Sequence, residues 1–295
     1  YVQDPGDYYY SEAYFRMLTL ITVLQQDCRI RYNPELIAEP SIENLSTPFT
    51  SDSRDVFLHG LATGKRMGTC ASMPILYLVV GRLLNYPLKL AASKGHLYLR
   101  WEDEREAINL EASGRGLAVY PDEKYRNWPF PITQTELSKN FFLKSMSPEE
   151  ELTVFLENRA TILAAQGNWK EFFDVYGRVL ELAPNHPLAL NNQRYAIQQA
   201  RKAGTAAVIH TPDGPAITWA SKPEDLPKAM PAEPVWGDLI EIIHARQSVP
   251  SDNLIPVPVM PNPYQRPNLT IPLPTSNHLN SYNHYSQPIQ RGMFQ

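Results

Sequence analysis

The sequence predicts an α+β fold: helices and a small antiparallel sheet, followed by an all-helical segment and a proline-rich tail. Apolar residues in the first half of the chain alternate between helical and strand spacing, whereas helix-start signals dominate from Ser147. Proline is concentrated late, with 15 of the 27 prolines in the last 91 residues. We therefore divide the chain into segments 1–146, 147–204, 205–247 and 248–295.

Two amphipathic helices are predicted before the sheet. Apolar residues recur at helical spacing over residues 11–27. A shorter helix is predicted over 53–62, with Asp52 or Ser53 as the N-cap that satisfies its first backbone N–H groups. The glycine-containing stretch after it predicts a loop.

A third helix is predicted to begin near Ala71 to Met73 and to end near Leu84. Proline is tolerated only in the first turn of a helix, so Pro74 fixes this start. Cys70 is then expected at the positive end of the helix dipole. The side chains that we expect this helix to bury are Leu76, Val79, Val80 and Leu83.

Three strands follow, over 88–92, 96–101 and 107–111. Successive side chains of a strand point to opposite faces, so His96 shares a face with Tyr98 and Arg100, away from the apolar face. In the last strand, Asn109 and Glu111 share one face in the same way.

The spacing of the second and third strands predicts a hairpin that turns at Asp103-Glu104. In that register His96 lies directly opposite Glu111, and opposed side chains are roughly 4.5–5.5 Å apart at Cβ. A slip of one residue would separate the two groups, because it moves one of them to the other face.

From Ser147 the chain predicts three helices with short connections. Ser147-Pro148-Glu149-Glu150 is a capping box with proline at the first helical position. Asn168 starts a second helix after Gly167, and Pro187 opens a third that Gly204 closes. We expect these helices to stack as an antiparallel, right-handed array.

Cys70, His96 and Glu111 follow one another as thiol, imidazole and carboxylate on helix, strand and strand. These are the parts of a cysteine acyl-transfer site: a nucleophile, a base and a group that orients the base. Asn109 is the alternative orienting residue, because an amide can also hold an imidazole. Backbone N–H groups around Cys70 are the expected oxyanion donors, with a side chain of Gln25 or Gln26 as an alternative. The second cysteine, Cys28, is interpreted as a core residue.

The stretches GTCASMPILYLVVGRLLNYPLKL, KGHLYLRW and INLEASGRG resemble the core of the transglutaminase-like superfamily over roughly residues 11–130. The resemblance implies a papain/transglutaminase-like core with Cys70 as nucleophile, His96 as general base and Glu111 as orienting acid. Glu111 stands where that family usually has aspartate. The stretch QGNWKE, then Tyr176 and LAPN, resembles half of a tetratricopeptide repeat (TPR). The combination is similar to a bacterial branch in which a transglutaminase-like domain precedes such repeats.

Composition excludes several classes of function. The net charge of −4 gives no basic footprint for nucleic acid. The longest apolar run, Ile75 to Leu84, is too short to span a bilayer and contains Arg82. Two cysteines make no disulfide framework, which favours a cytoplasmic location. Because the chain begins at Tyr1 rather than Met, we interpret it as a processed or truncated piece that lacks its native N-terminus.

The sequence therefore predicts cysteine-dependent acyl transfer or amide hydrolysis on a protein or peptide substrate. The alternative is a catalytically inactive protein-interaction module, whose TPR-like segment binds a protein partner. No cofactor and no metal are predicted, because the histidines outside the site (His210, His244, His278 and His284 among them) lack metal-ligand spacing.

Overall fold

The computed structural model describes residues 1–36, 50–211 and 214–226. The proline-rich segment 248–295 and most of the segment 205–247 lie outside the described residues, as do His244, His278 and His284. The described part combines helices with small sheets and is α+β in class.

In the described residues, strands and mostly short helices come first, and longer helices and a hairpin follow. The helices are α1 Glu12–Thr22, α2 Ser53–Val56, α3 Leu58–Ala62, α4 Met73–Leu83, α5 Asp122–Asn127, α6 Gln134–Ser138, α7 Pro148–Ala165, α8 Trp169–Leu182 and α9 Ala189–Lys202. The strands are β1 Arg31–Tyr32, β2 Met67–Gly68, β3 Leu88–Ser93, β4 His96–Glu102, β5 Ala107–Glu111, β6 Ala118–Val119, β7 Ala206–Thr211 and β8 Gly214–Trp219.

The first predicted helix is present, but it ends in a π-helical turn over Val23–Asp27. Ser11 caps its start by accepting a hydrogen bond from the Tyr14 backbone N–H. The π turn holds more residues per turn than an α-helix, so the residues after it rotate away from the buried face. The interpretation of Cys28 as a core residue is wrong for this reason: Cys28 follows the π turn and is exposed.

The helix predicted over 53–62 is divided in two at Phe57, whose backbone is extended. Asp52 is the N-cap, and its carboxylate accepts from the Arg54 backbone N–H. Gly60 makes the corner possible, because a Cβ at this position would lie 1.8 Å from the Arg54 carbonyl oxygen.

α4 begins at Met73, as predicted, but its buried face is only in part the predicted one. Leu76 and Val80 pack partly buried against the main core and Val79 and Leu83 are exposed, whereas Tyr77, Leu78 and Gly81 are buried. The helix is apolar on nearly all sides, so periodicity alone did not specify the face. The face is set by close packing on β3: a Cβ on Gly81 would lie 2.3 Å from Leu88 Cδ1.

The main sheet is antiparallel, with strand order β3-β4-β5-β6. The predicted faces are confirmed: Leu97, Leu99 and Trp101 enter the main core, while Tyr98 packs on the opposite face with Tyr125. The predicted register is wrong by two residues. Leu99 pairs with Leu110 and Glu102 with Ala107, because the hairpin turn takes four residues, 103–106.

The three predicted helices after Ser147 are present as α7, α8 and α9. The capping box is confirmed, with the Ser147 side chain accepting from the Glu150 N–H. Gly167 and Gly204 adopt positive φ angles of 71° and 70° after α7 and α9. α9 begins two residues after Pro187, and the three helices share a second core with Val208 and Trp219.

The hairpin β7–β8 was not predicted. It pairs Ala206 with Trp219, and the Trp219 ring lies 5.5 Å from that of Phe173 in α8. The sequence carried a signal for it, since Asp213-Gly214 between two apolar runs is a strong hairpin indicator.

α7 belongs to both cores, because Val154 packs in the first and Ala160 in the second. At its N-terminal end, the largely buried Glu151 carboxylate pairs with the Arg82 guanidinium at 2.6 Å and accepts from the Leu90 N–H at 3.2 Å. The helical segment is therefore joined to the first core by partly buried polar contacts as well as by apolar packing.

Candidate active site

Cys70 lies in the turn between β2 and α4, and hydroxyl groups fix this turn to α2. The Thr69 and Ser72 hydroxyls both donate to the Asp55 carbonyl oxygen, at 2.9 and 2.8 Å. The Thr69 carbonyl then accepts from the Met73 N–H at 2.9 Å, which begins the helix. Cys70 itself is half-buried, so this residue keeps partial access to solvent on a turn that is hydrogen-bonded to α2.

Asn158 of α7 holds the same turn from the other side. Its amide Nδ2 donates to the Ala71 carbonyl at 3.3 Å and to the Val56 carbonyl at 3.0 Å. Asn158 is 7% exposed, and its contact with Val56 is buried while its contact with Ala71 is partly buried. A residue of the helical segment thus contacts the backbone beside Cys70.

His96 and Glu111 form a buried pair, although they are not directly opposite each other. His96 Nε2 lies 2.6 Å from Glu111 Oε2. The register offsets the two residues diagonally, and a two-residue offset keeps both on one face of the sheet. The long glutamate side chain spans the diagonal, and Glu111 Oε1 also accepts from the Ser113 N–H at 2.9 Å.

Aromatic rings from α5 and the loop after it enclose the imidazole. The Trp128 ring lies edge-on at 4.6 Å, and the Tyr125 ring is stacked at 6.2 Å. The Tyr125 hydroxyl donates to Glu111 Oε2 at 3.4 Å. Only 2% of the His96 side chain is exposed, so the ion pair lies in a nearly dry environment.

The turn before His96 depends on Gly95, whose φ is +82°. A Cβ on Gly95 would lie 2.9 Å from the Phe130 ring, which follows Trp128 in the same loop. Glycine therefore permits both the turn and the close approach of this loop to the imidazole.

The electrostatics of the pair favour its charged form. Burial disfavours the imidazolium, but attraction to Glu111 and hydrogen bonds to Cys70 and Glu111 outweigh it and raise the pKa of His96 to about 10. Burial likewise opposes the Glu111 carboxylate, and the attraction and hydrogen bond of His96 lower its pKa below the usual value. Because Glu111 occupies Nε2, Nδ1 is the ring nitrogen left for the Cys70 sulfur.

Tyr32 is a further member of the site that sequence reasoning missed. It lies in β1, which pairs in parallel with β2 so that Tyr32 is opposite Gly68, two residues before Cys70. Burial first, and then interactions of its hydroxyl with the Cys70 side chain, raise the pKa of Tyr32, which keeps the phenol protonated. The Tyr32 hydroxyl also interacts with the backbone of Cys70.

Asn109, the alternative partner of His96, has other contacts. Its Oδ1 accepts from Arg100 Nε at 2.7 Å, and its Nδ2 donates to Asp122 Oδ1 at 2.8 Å. The ring nitrogen of His96 contacts Glu111 instead.

Gln25 and Gln26 do not serve as the expected side-chain donors. The Gln25 amide donates to the Gly114 carbonyl at 2.9 Å and accepts from the Gly116 N–H at 2.8 Å. It thereby fixes the loop that follows Glu111. Gln26 is exposed. The Tyr32 hydroxyl, in contrast, interacts with both the backbone and the side chain of Cys70.

Within residues 1–36, 50–211 and 214–226, no three histidine, cysteine or acidic side chains are grouped so as to hold a metal ion. In the same ranges, none of the helices combines the length and apolar character needed to cross a bilayer. Comparison of the chain with protein-family models, with curated proteins and with solved structures gave no match.

Proposed function

We propose that this protein catalyses cysteine-dependent acyl transfer or amide hydrolysis on a protein or peptide substrate, with Cys70, His96 and Glu111 as its catalytic residues. In this proposal, residues 1–146 form a papain/transglutaminase-like core and residues 147–204 a TPR-like segment. The observation that carries the proposal is the buried His96–Glu111 ion pair beside the half-buried Cys70. An imidazolium next to a cysteine favours the thiolate, which is the reactive form.

The thiolate attacks the carbonyl carbon of a substrate amide, and the carbonyl oxygen becomes an oxyanion. The proposal assigns the Tyr32 hydroxyl and the Cys70 N–H, which interact with each other in the free protein, as the donors to that oxygen. The tetrahedral intermediate collapses as the C–N bond breaks, and the leaving nitrogen takes the proton of His96. The acyl group is then held on Cys70 as a thioester.

In the second step the neutral imidazole accepts a proton from water or from an incoming amine, which attacks the thioester. The carboxylate of Glu111 keeps the ring oriented and stabilises the imidazolium that forms again. Water yields hydrolysis and an amine yields transfer, and both outcomes regenerate the Cys70 thiolate.

Alkylation by iodoacetamide tests this proposal, because exposure and activation predict opposite orders of reactivity. Cys28 is the more exposed cysteine, whereas the proposal makes Cys70 the more reactive one. At pH 6–7 we expect Cys70 to alkylate at least about tenfold faster than the exposed Cys28, as thiolate character rather than access controls the rate. Intact-mass and peptide mass spectrometry measure both rates in one molecule.

Cys70→Ala is the matched control and should leave only the slow reaction of Cys28. Equal rates, or faster labelling of Cys28, would show that the sulfur of Cys70 is not activated. An amide substrate should in addition leave a mass adduct on Cys70 that an added primary amine removes.

A cleft on α9 favours the second candidate, a binding role for the helical segment. The cleft is lined by Asn191, Arg194, Tyr195 and Gln198, which recur at helical spacing on one face. If binding were the function, Cys70→Ala would retain full affinity for the partner, whereas Arg194→Ala would lose it.

A further inference from the structure

Four cations line one cleft at the start of β1 and β2. Arg29 and Arg31 come from the β1 side, and Lys65 and Arg66 come from the turn before β2. All four are exposed. This concentration of positive charge contrasts with the net charge of −4 of the chain.

The described part of the chain does not neutralise this cleft. Within it, none of the four cations forms an ion pair, and Arg66 donates to a neutral group, the Cys28 carbonyl, at 2.9 Å. The Asp52 carboxylate interacts electrostatically with Lys65, but its ion pair is with Arg54. The cleft therefore keeps capacity for an external anion.

The strand pair connects the cleft to Cys70. Because β1 and β2 are parallel, with Arg31 opposite Met67, both strands begin at the cleft and lead towards Tyr32 and Cys70. Cys70 follows Arg66 by four positions, and an extended chain covers at most about 14 Å over four residues. A peptide of about four residues spans the same length.

The backbone at the cleft is also unusual. Arg29 and Arg66 adopt the left-handed conformation, with φ of 59° and 51°. Side-chain-bearing residues seldom adopt this conformation, although five others do so elsewhere in the described chain. Here it directs two neighbouring segments into one cationic cleft.

We propose that this cleft recognises an acidic residue of the protein substrate, placed about three to five positions from the residue that donates its acyl group to Cys70. This inference rests on the proposed function. Arginine binds carboxylates through paired N–H donors, which suits a glutamate or aspartate side chain. A short acidic segment would contact only the cleft. A nucleic acid or a membrane would also contact the rest of the chain, whose net negative charge repels it.

Peptide binding to the full-length Cys70→Ala protein tests the recognition without the chemistry. The first probe is a fluorescent ten-residue peptide with a central glutamine and two glutamates four positions away from it. In the second probe, glutamines replace the two glutamates. Fluorescence anisotropy should show the acidic peptide binding about tenfold tighter at low salt, and this difference should shrink as salt is added.

The cleft variant is the double substitution Arg31→Gln and Lys65→Gln, since the side chains of these two residues make no hydrogen bond within the described chain. The matched control removes two exposed charges elsewhere, with Lys202→Gln and Lys222→Gln. We expect the cleft variant to bind both peptides equally weakly and the control to keep the about tenfold preference. With active protein, moving the glutamates along the peptide should give the fastest acyl transfer near four positions.

Equal binding of the two peptides to the parent protein would overturn the inference whatever the alkylation of Cys70 shows. Tighter binding of RNA or of anionic vesicles than of the acidic peptide, lost in the cleft variant, would overturn the choice of a peptide. A cleft-dependent preference for the acidic peptide together with an unreactive Cys70 would support acidic recognition and would refute the proposed function instead.

Discussion

The Glu111 carboxylate accepts hydrogen bonds from an imidazole, a backbone N–H and a phenol, contributed by His96, Ser113 and Tyr125. Only the first of these partners was predictable from sequence. His96 was predicted from its order after Cys70 and from its position on a strand face. Tyr125 and Trp128 were not predicted, because they approach His96 only through tertiary folding of α5 and its loop.

Tyr32 was missed for a similar reason. It lies in a strand of two residues, which is too short to give a periodic pattern, and its proximity to Cys70 depends on pairing between β1 and β2. Such proximity depends on contacts between residues far apart in the chain, so no local sequence pattern predicts it.

The buried pair predicts a pH dependence of stability. The folded-state pKa of His96 is about 10 and that of the unfolded chain is about 6.5, so the stabilisation is complete below pH 6.5 and is lost as the pH rises towards 10. The pKa of Glu111 is lowered in the folded state, so its contribution to stability is complete above the unfolded-state pKa of about 4.5. That contribution is lost as the pH falls below this value.

Urea unfolding at pH 6, 7.5 and 9 measures this slope. Glu111→Gln removes the carboxylate that raises the pKa of His96, and we expect the loss of stability between pH 6 and 9 to be clearly smaller in this variant. Parallel slopes for the two proteins would show that His96 is not held as an imidazolium.

At the scale of elements, the strand faces were predictable but the register was not. Alternation of apolar and polar residues fixes the face, whereas the number of residues in the 103–106 turn fixes the register. An error of two residues preserved the face, so the prediction that His96 meets Glu111 survived a wrong pairing. The face of α4 was not predictable in the same way, because nearly every side of that helix is apolar.

The contact of α7 with the Cys70 turn leads to a prediction for Asn158→Ala. This change leaves the Val56 and Ala71 carbonyls without their buried donor and should cost about 1–3 kcal/mol of stability. It should also slow alkylation of Cys70, because the turn that holds the sulfur loses one of its two supports.

Gln193→Ala is the control for a general loss of stability. Gln193 is similarly buried and donates to the Phe173 carbonyl at 3.2 Å, within the second core. It should lower the free energy of unfolding by a similar amount and leave the labelling rate of Cys70 unchanged. Equal slowing in both variants would assign the effect to stability alone.

At the scale of the molecule, α7 joins the two cores. It places Val154 in the first core and Ala160 in the second, and Glu151 pairs with Arg82 across the junction. The change from strands to helices near Ser147 was evident in sequence, but the shared helix was not, since packing between distant segments leaves no local pattern.

A chain cut at residue 146 should therefore fail to fold stably, although this is where the sequence changes character. Removal of α7 exposes the first core and leaves the Arg82 guanidinium without its carboxylate. Circular dichroism should show a cooperative thermal transition for residues 1–226 and none for residues 1–146. A cooperative transition in the shorter chain would show that the first core is self-sufficient.

Gly95 has a consequence beyond its own turn. A methyl group at this position would press on the Phe130 ring and move the loop that carries Trp128. The imidazole would then become hydrated, and the attraction that keeps it charged would be weakened by the higher local dielectric. The acid–base character of this centre is thus governed partly by a residue that has no side chain, through the volume it leaves empty.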